Sequence, residues 1–552
     1  MTIRPRQLEY RRLRAPRGDR TALIEPSLDA VSAMVDANVR LAAERDYDVQ
    51  GVSLRELSRQ ARDELLAEAV RWTSAYRDIS ALSDRSGPIF LAGHQPQLFH
   101  PGVWLKNFVL DHVACRQGAV AVNLLIDSDT VKSTLVRLPT GTPAEPRAVS
   151  IGLDRSEPRV PYEERRIVDR EQFARFGRHV AEQVAGLVPD PLINTYWPMV
   201  RHRAEQTENL GSCLAQARDQ LEARWGSQTL QVPQSRICRT ASFCRFVAHL
   251  LAQLPRFSDA YNRSVREYRR VHRIRSTAHP VPDLVVLGEW FEAPFWVWTS
   301  EDPHRRALFV RSAGDRLVLS DRRNIQFDLP LTADGDATRA VERLMELAAD
   351  ETNHRGVKIR SRALITTLWA RLVLGDLFIH GIGGAKYDQV TDLLIGRFFG
   401  LVPPDFMVVS ATLHLPIARR PIARRRTTPA DARAIRQQLR RLTYHPECFA
   451  DPSQSPLGTD ASLSELIEAK RHWIRTPQTA ENARTRYGRI RQLNEALQPW
   501  VATQREELLR RQEETARALR VEDVLGRREY GFCLYPEKTF RNFLDALLPK
   551  IS

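Results

Sequence analysis

The sequence predicts an α/β protein with a parallel-sheet core, helical insertions and a C-terminal helical arm. Three observations carry that prediction. Two short apolar runs stop at polar turns, with a helical pattern between them, which is the mark of a βαβ unit. A second strand, glycine turn, helix and strand recur much later in the chain. The stretch from about Pro429 to Arg520 is almost all helix-former.

Residues 1–85 are expected to form a helical N-terminal segment. Leu28, Val31, Met34, Val35, Val39 and Leu41 recur mostly at three- and four-residue steps, and Leu54–Ala75 continues the pattern. The core is expected over residues 86–428. It opens on Pro88-Ile-Phe-Leu-Ala, which stops at Gly93-His94-Gln95-Pro96. A helical pattern follows through Val103, Leu105, Phe108, Val109, His112 and Val113. The next apolar run, from Ala119 to Ile126, stops at Asp127-Ser128-Asp129.

Residues 140–190, rich in Pro, Arg and Glu, read as an excursion from the sheet. Residues 195–275 read as helices, so insertions occupy about 140–275. Leu284–Leu287, Phe295–Trp298, Ala307–Val310 and Leu317–Ser320 are short apolar runs that predict a mixed or antiparallel sheet edge.

The second unit runs from Asp376-Leu-Phe-Ile-His380 into Gly381-Ile382-Gly383-Gly384. A helix is expected from about Lys386 to Phe399, with Gly400 as its C′ residue. Phe406–Ser410 is the next strand. Residues 429–525 predict a helical hairpin or coiled coil, broken at Pro499. The tail, residues 526–552, is aromatic and is expected to pack on the core.

Composition excludes several classes. The chain has 552 residues, with 43% apolar and 27% charged, which rules out a wholly disordered or fibrous protein. Mean hydropathy is -0.38, and no stretch approaches the ~20 apolar residues of a membrane span. Met1-Thr-Ile-Arg-Pro-Arg has no apolar run behind it, so no secretory signal is expected. Six scattered cysteines predict neither a disulfide framework nor a zinc site, and a reducing cytoplasm is expected. The net charge of +15 would attract nucleic acid, acidic lipid or anionic metabolites, and equally suits a basic enzyme.

Ligands of open parallel sheets bind beyond the carboxyl ends of the strands. Three polar turns belong there. His94 and Gln95 can hydrogen-bond a substrate, with His94 as general base, or cap and fill the turn. Asp127 and Asp129 can bind an amine, hold Mg²⁺ or orient His94, or close the strand as an Asx turn. The turn Gly381, Gly383, Gly384, Lys386, Tyr387 and Asp388 can receive an anion at a helix start, or be glycine-rich for steric reasons alone. Gly93 joins the binding group. No metal site is expected.

The stretch Pro416-Ile-Ala-Arg-Arg-Pro421-Ile-Ala-Arg-Arg-Arg426 holds five arginines. It lacks the interleaved aromatics of a base-stacking surface, so a solvated linker is expected and nucleic acid is not the expected partner.

Together these segments resemble the bacillithiol-biosynthesis cysteine-adding enzyme family (cysteine ligases). The first turn, Gly93-His94-Gln95-Pro96-Gln97-Leu98-Phe99-His100-Pro101-Gly102, is similar to that family's Gly-Gln-Gln and aromatic-Gly turn. Ile126-Asp127-Ser128-Asp129 sits at its acidic second turn. Gly381–Asp388 sits at its later Gly-Gly-Pro-Gly-Glu turn with a following Tyr. His94 replaces the first Gln of the pair, and the Pro-Gly-Glu is missing. The resemblance implies a Rossmann-like core and an antiparallel coiled-coil arm that supports a homodimer. It implies a ligase that joins the carboxyl of cysteine to the amine of glucosaminyl-malate. Amide formation from a free acid is uphill in water, so ATP or ADP would fit; the cofactor is otherwise open. His94, Gln95, Asp127 and Asp129 would be catalytic, and no membrane partner is implied. Two other readings stand beside it. One is a dimeric scaffold that binds nucleic acid through Arg419–Arg426. The other is a sugar-modifying enzyme, because Gly-His-Gln-Pro with its aromatic and Pro-Gly also resembles a family linked to surface-polysaccharide synthesis.

Overall fold

The computed structural model describes residues 8, 10, 13–80, 86–157, 159–333, 335–349, 356–417, 427–451 and 462–548. The chain divides into two compact units. One comprises Met1–Leu138, Val149–Pro416 and Arg528–Ser552, and the other Pro139–Ala148 and Ile417–Arg527.

The strands are β1 (Thr21–Glu25), β2 (Ile89–His94), β3 (Val120–Leu125), β4 (Leu135–Gly141), β5 (Pro146–Gly152), β6 (Leu230–Pro233) and β7 (Val286–Leu287). Then come β8 (Trp290–Thr299), β9 (Arg306–Ala313), β10 (Arg316–Ser320), β11 (Gln326–Leu329), β12 (Val357–Ser361), β13 (Leu377–His380) and β14 (Met407–Thr412). The central sheet has the order β1-β14-β13-β2-β3-β6. Its last five strands run parallel, and β1 pairs antiparallel with β14 at one edge. Strands β3 and β14 are buried at every position, which is why both are mostly apolar rather than alternating, with only Asn123, Ser410 and Thr412 polar.

The helix Pro101–Arg116 returns the chain from β2 to β3. Pro101 opens it, where a missing N–H costs nothing, and the His100 imidazole accepts the Gly102 N–H at 3.0 Å. Gly102 is sterically required, since a β-carbon there would collide with the Ala411 carbonyl oxygen of β14. Aromatic rings of the C-terminal tail pack on this helix. The Trp104 ring stacks on Phe540 with centroids 4.4 Å apart and lies 4.3 Å from that of Phe532.

Several elements depart from expectation. The N-terminal segment holds the two expected helices, Val31–Ala43 and Leu54–Ser74, but also strand β1 of the central sheet. Strand β6 lies inside the stretch read as helical. The apolar runs from Leu284 onward do not edge the central sheet. They form a second, wholly antiparallel sheet in the order β11-β10-β9-β8-β12, with β7 on β8. Strands β4 and β5 make a separate hairpin.

In the second unit, the described residues of 429–525 form four α-helices: Pro429–Tyr444, Leu463–Arg475, Ala483–Leu497 and Ala502–Leu525. The first packs on the fourth and the second on the third. Pro446, Pro477 and Pro499 fall between them, and none can continue a helix from within. The break at Pro499 occurs as expected, in the turn Gln498–Val501. A two-stranded antiparallel coiled-coil arm is not shown among the described residues. No helix among them is long and apolar enough to cross a membrane.

Candidate functional site

The three polar turns lie at one rim. Parallel pairing sets Ile379 of β13 beside Ala92 of β2, and His94 of β2 beside Leu125 of β3. Gln95, Asp127 and Gly381 therefore follow adjacent strand ends on the carboxyl edge of the sheet.

Gln95 Nε2 donates to Asp129 Oδ2 at 2.8 Å. Asp129 Oδ1 lies 3.0 Å from Arg305 Nη1, and the same nitrogen donates to the Ser128 carbonyl at 3.0 Å. Arg305 precedes β9 of the second sheet. Sequence reasoning missed it, because the two segments meet only through tertiary folding.

Asp127 is buried. Its Oδ1 accepts the Ser235 N–H at 2.9 Å and its Oδ2 accepts the Ser235 hydroxyl. Burial, with the Glu163 charge nearby, pushes its carboxyl up to about 7, against the pull of Ser235 and Arg360. Ser235 follows β6, the fourth strand end to contribute to this edge. Among the described residues no cluster of three or more His, Cys, Asp or Glu could hold a metal ion. Cys238 and Cys244 are buried, as expected of core residues.

His94 is partly buried between Phe99, whose ring centroid lies 5.0 Å away, and the cations Lys106 and Arg218. Burial first, then those cations, lowers its pKa to about 3, so the ring is neutral. Its Nδ1 lies 3.2 Å from the Gln95 carbonyl oxygen. A carbonyl only accepts, so Nδ1 carries the proton and Nε2 presents a lone pair. The Gly93 carbonyl accepts from Lys106 Nζ. Lys106 is 2% exposed, and burial, with Arg218 nearby, lowers its pKa to about 7. Sequence reasoning passed over Lys106. The available signal was a lysine set within Trp104-Leu105-Lys106-Asn107-Phe108.

The glycine turn differs from expectation. The helix Ile382–Leu394 begins directly after Gly381, four residues earlier than predicted. Gly381, Gly383 and Gly384 have no positive φ. Gly384 is a steric requirement, because a β-carbon there would sit 2.7 Å from His380 Nδ1. A β-carbon on Gly381 or Gly383 would meet nothing within 4 Å, and no side chain caps this helix start. Lys386 is exposed on the same helix. Tyr387 is partly buried, which raises its pKa to about 12, with Asp388 and Asp129 adding to the shift.

Asp388 does not face the rim. It is fully buried, accepts from Arg371 Nη1 at 2.5 Å, and lies 2.8 Å from His380 Nε2. Burial opposes its ionisation, but Arg371 and His380 outweigh it and hold the carboxyl well below the usual range. Its role is to fasten the helix to the core. The arginines Arg419–Arg426 lie outside the described residues.

Fold and site together define an α/β protein with a polar rim on the carboxyl edge of a largely parallel sheet. A comparison with protein-family models gives no match, and a comparison with curated proteins gives none either.

Proposed function

We propose that the protein is a C–N bond-forming ligase with a Rossmann-like core, related in activity to the bacillithiol cysteine-adding enzymes. It joins a cysteine-like carboxylate to the amine of an amino-sugar conjugate. One observation carries the reading: turns far apart in sequence, at Gln95, Asp127 and Gly381, share a single rim.

The chemistry divides among them. Asp127, with a pKa near neutrality, is matched to take the proton that the amine loses on acylation. Gln95, Asp129 and Arg305 form a connected polar chain that can orient the amine. The free N–H groups at the start of the helix Ile382–Leu394, the open space over Gly381 and Gly383, and exposed Lys386 fit a nucleotide phosphate. A bound nucleotide would supply the leaving group that makes the carboxylate an acylating agent.

Isothermal titration of the full chain with ATP and with ADP tests the reading. The wild type is expected to bind, and Lys386→Ala to bind at least tenfold more weakly. With L-cysteine, ATP and glucosaminyl-malate, mass spectrometry is expected to detect the condensed amide. A wild type that binds neither nucleotide and forms no amide overturns the proposal.

A further inference from the structure

Beside the rim, under the turn that follows β2, three nitrogen-bearing side chains meet with too few partners. Lys106 is 2% exposed, and a lysine ammonium carries three donors. One donor goes to the Gly93 carbonyl. Among the described residues no carboxylate lies within ion-pair distance of it.

Arg218, on the helix Leu210–Arg224, is also 2% exposed. It makes no hydrogen bond among the described residues. Its Nε lies 3.2 Å from Glu222 Oε1 without hydrogen-bonding geometry. That oxygen is already held by Trp104 Nε1 at 2.6 Å and Asn107 Nδ2 at 2.9 Å. The guanidinium lies 4.9 Å from the centre of the Phe99 ring, whose edge meets His94. His94 Nε2 has no partner among the described residues either.

Buried donors are almost always satisfied, and an unpaired buried cation is costly. Glu222 stands beside Arg218 and Asp219 is taken up by Arg77, and among the described residues no carboxylate pairs with Lys106. An anion with two oxygens would supply what is missing. Because the cluster lies at the carboxyl end of β2, that anion comes from a ligand of the rim.

We propose that Lys106 and Arg218, with the His94 ring beside them, form the seat of the substrate carboxylate. The identity of the acid as cysteine-like rests on the ligase reading; the seat itself rests on the unpaired donors. Occupation has a second effect. A bound carboxylate would offset the cations that now depress His94, so its Nε2 would become a stronger base once the acid is in place.

The test is calorimetric titration of the full chain, without nucleotide, using L-cysteine, cysteamine, acetate and inorganic phosphate. Cysteamine keeps the thiol and amine of cysteine but lacks the carboxylate. L-cysteine is expected to bind at least tenfold more tightly than cysteamine. Lys106→Met is expected to weaken L-cysteine at least tenfold while leaving ATP binding within twofold. Should that variant not fold, lysine acylation on the wild type gives the same answer by peptide mass spectrometry. L-cysteine at saturation is expected to slow acylation of Lys106 at least fivefold and leave exposed Lys538 unchanged. The seat is overturned if Lys106→Met binds L-cysteine like the wild type, if acylation of Lys106 is unaffected, or if phosphate binds and no carboxylate does. Binding of L-cysteine with no binding of nucleotide would keep the seat and sink the ligase.

Discussion

Gln95 Nε2 donates to Asp129 Oδ2 at 2.8 Å, which ties the turn after β2 to the turn after β3. Because Arg305 holds the other carboxylate oxygen at 3.0 Å, Asp129 cannot swing to follow a displaced Gln95 without losing an ion pair. The rim is held in one arrangement by a carboxylate shared among Gln95, Arg305 and the Thr130 N–H.

That sharing makes Gln95→Ala informative. The substitution removes the tie but no core contact, so stability should stay within ~0.5 kcal/mol. Under the proposed ligase activity, the rate of amide formation should fall on the order of 10²-fold, as expected when a reacting group loses its placement. Initial rates with L-cysteine, glucosaminyl-malate and ATP measure it, and an unchanged rate would remove Gln95 from the site.

The buried carboxyl of Asp127 makes stability depend on pH. Its folded pKa, about 7, lies above the ordinary 3.8, so the folded state holds the proton more tightly. The resulting stabilisation is complete below about pH 4 and is lost as pH rises through 7. Asp127→Asn keeps an acceptor for the Ser235 N–H but cannot titrate. Between pH 4 and 7 the wild type should lose up to about 1.4 kcal/mol per pH unit relative to the variant. Asp219, also raised to about 7, titrates in both proteins and cancels from the difference. Urea melts at each pH would show the two proteins diverging; parallel curves would contradict the assignment.

Arg371 and Asp388 form a buried ion pair at 2.5 Å. Arg371→Met leaves the carboxylate buried without its main partner, and His380 alone cannot replace a full charge. A loss of about 3–5 kcal/mol is expected from denaturant midpoints. The double variant Arg371→Met with Asp388→Leu should recover part of that loss, because the fully buried Asp388 charge is gone, while Asp392, which Arg371 Nη2 also holds at 2.7 Å, still loses that contact.

The stacking of Phe540 on Trp104 predicts that the aromatic tail is structural. Phe540→Ala should cost about 3–5 kcal/mol, read as a lowered thermal midpoint. A change of less than 1 kcal/mol would mean that the tail is only loosely attached.

Much of this could be read from residue order. Short apolar runs that stop at the turns holding His94 and Asp127 betrayed buried parallel strands, and Gly400, with a φ of 67°, caps its helix as its position implied. The antiparallel strand β1 escaped notice because five residues, Thr21–Glu25, carry too little pattern by themselves. Its partner lies in β14, at Thr412–Val408. Strand β6 was masked by the helices around it. Asp388 looked like a rim residue because it closes the glycine-rich turn Gly381–Asp388 beside the expected helix start. Its capture by Arg371 depends on a contact that no local pattern contains. Lys106 illustrates the converse: a charged residue inside an apolar helix face is a local anomaly, but only the fold shows that it lacks a carboxylate.

The pairing of β1 with β14 also has a consequence for biogenesis. Thr21 leaves the ribosome well before its partner Thr412, which follows it almost four hundred residues later. At ordinary elongation rates the first strand waits roughly 20–80 s for its place. Until then its backbone is an unpaired edge, open to any strand that meets it. Closing the sheet is thus a late event in the life of the nascent polypeptide, and the N-terminal strand is where a chaperone would have most to protect.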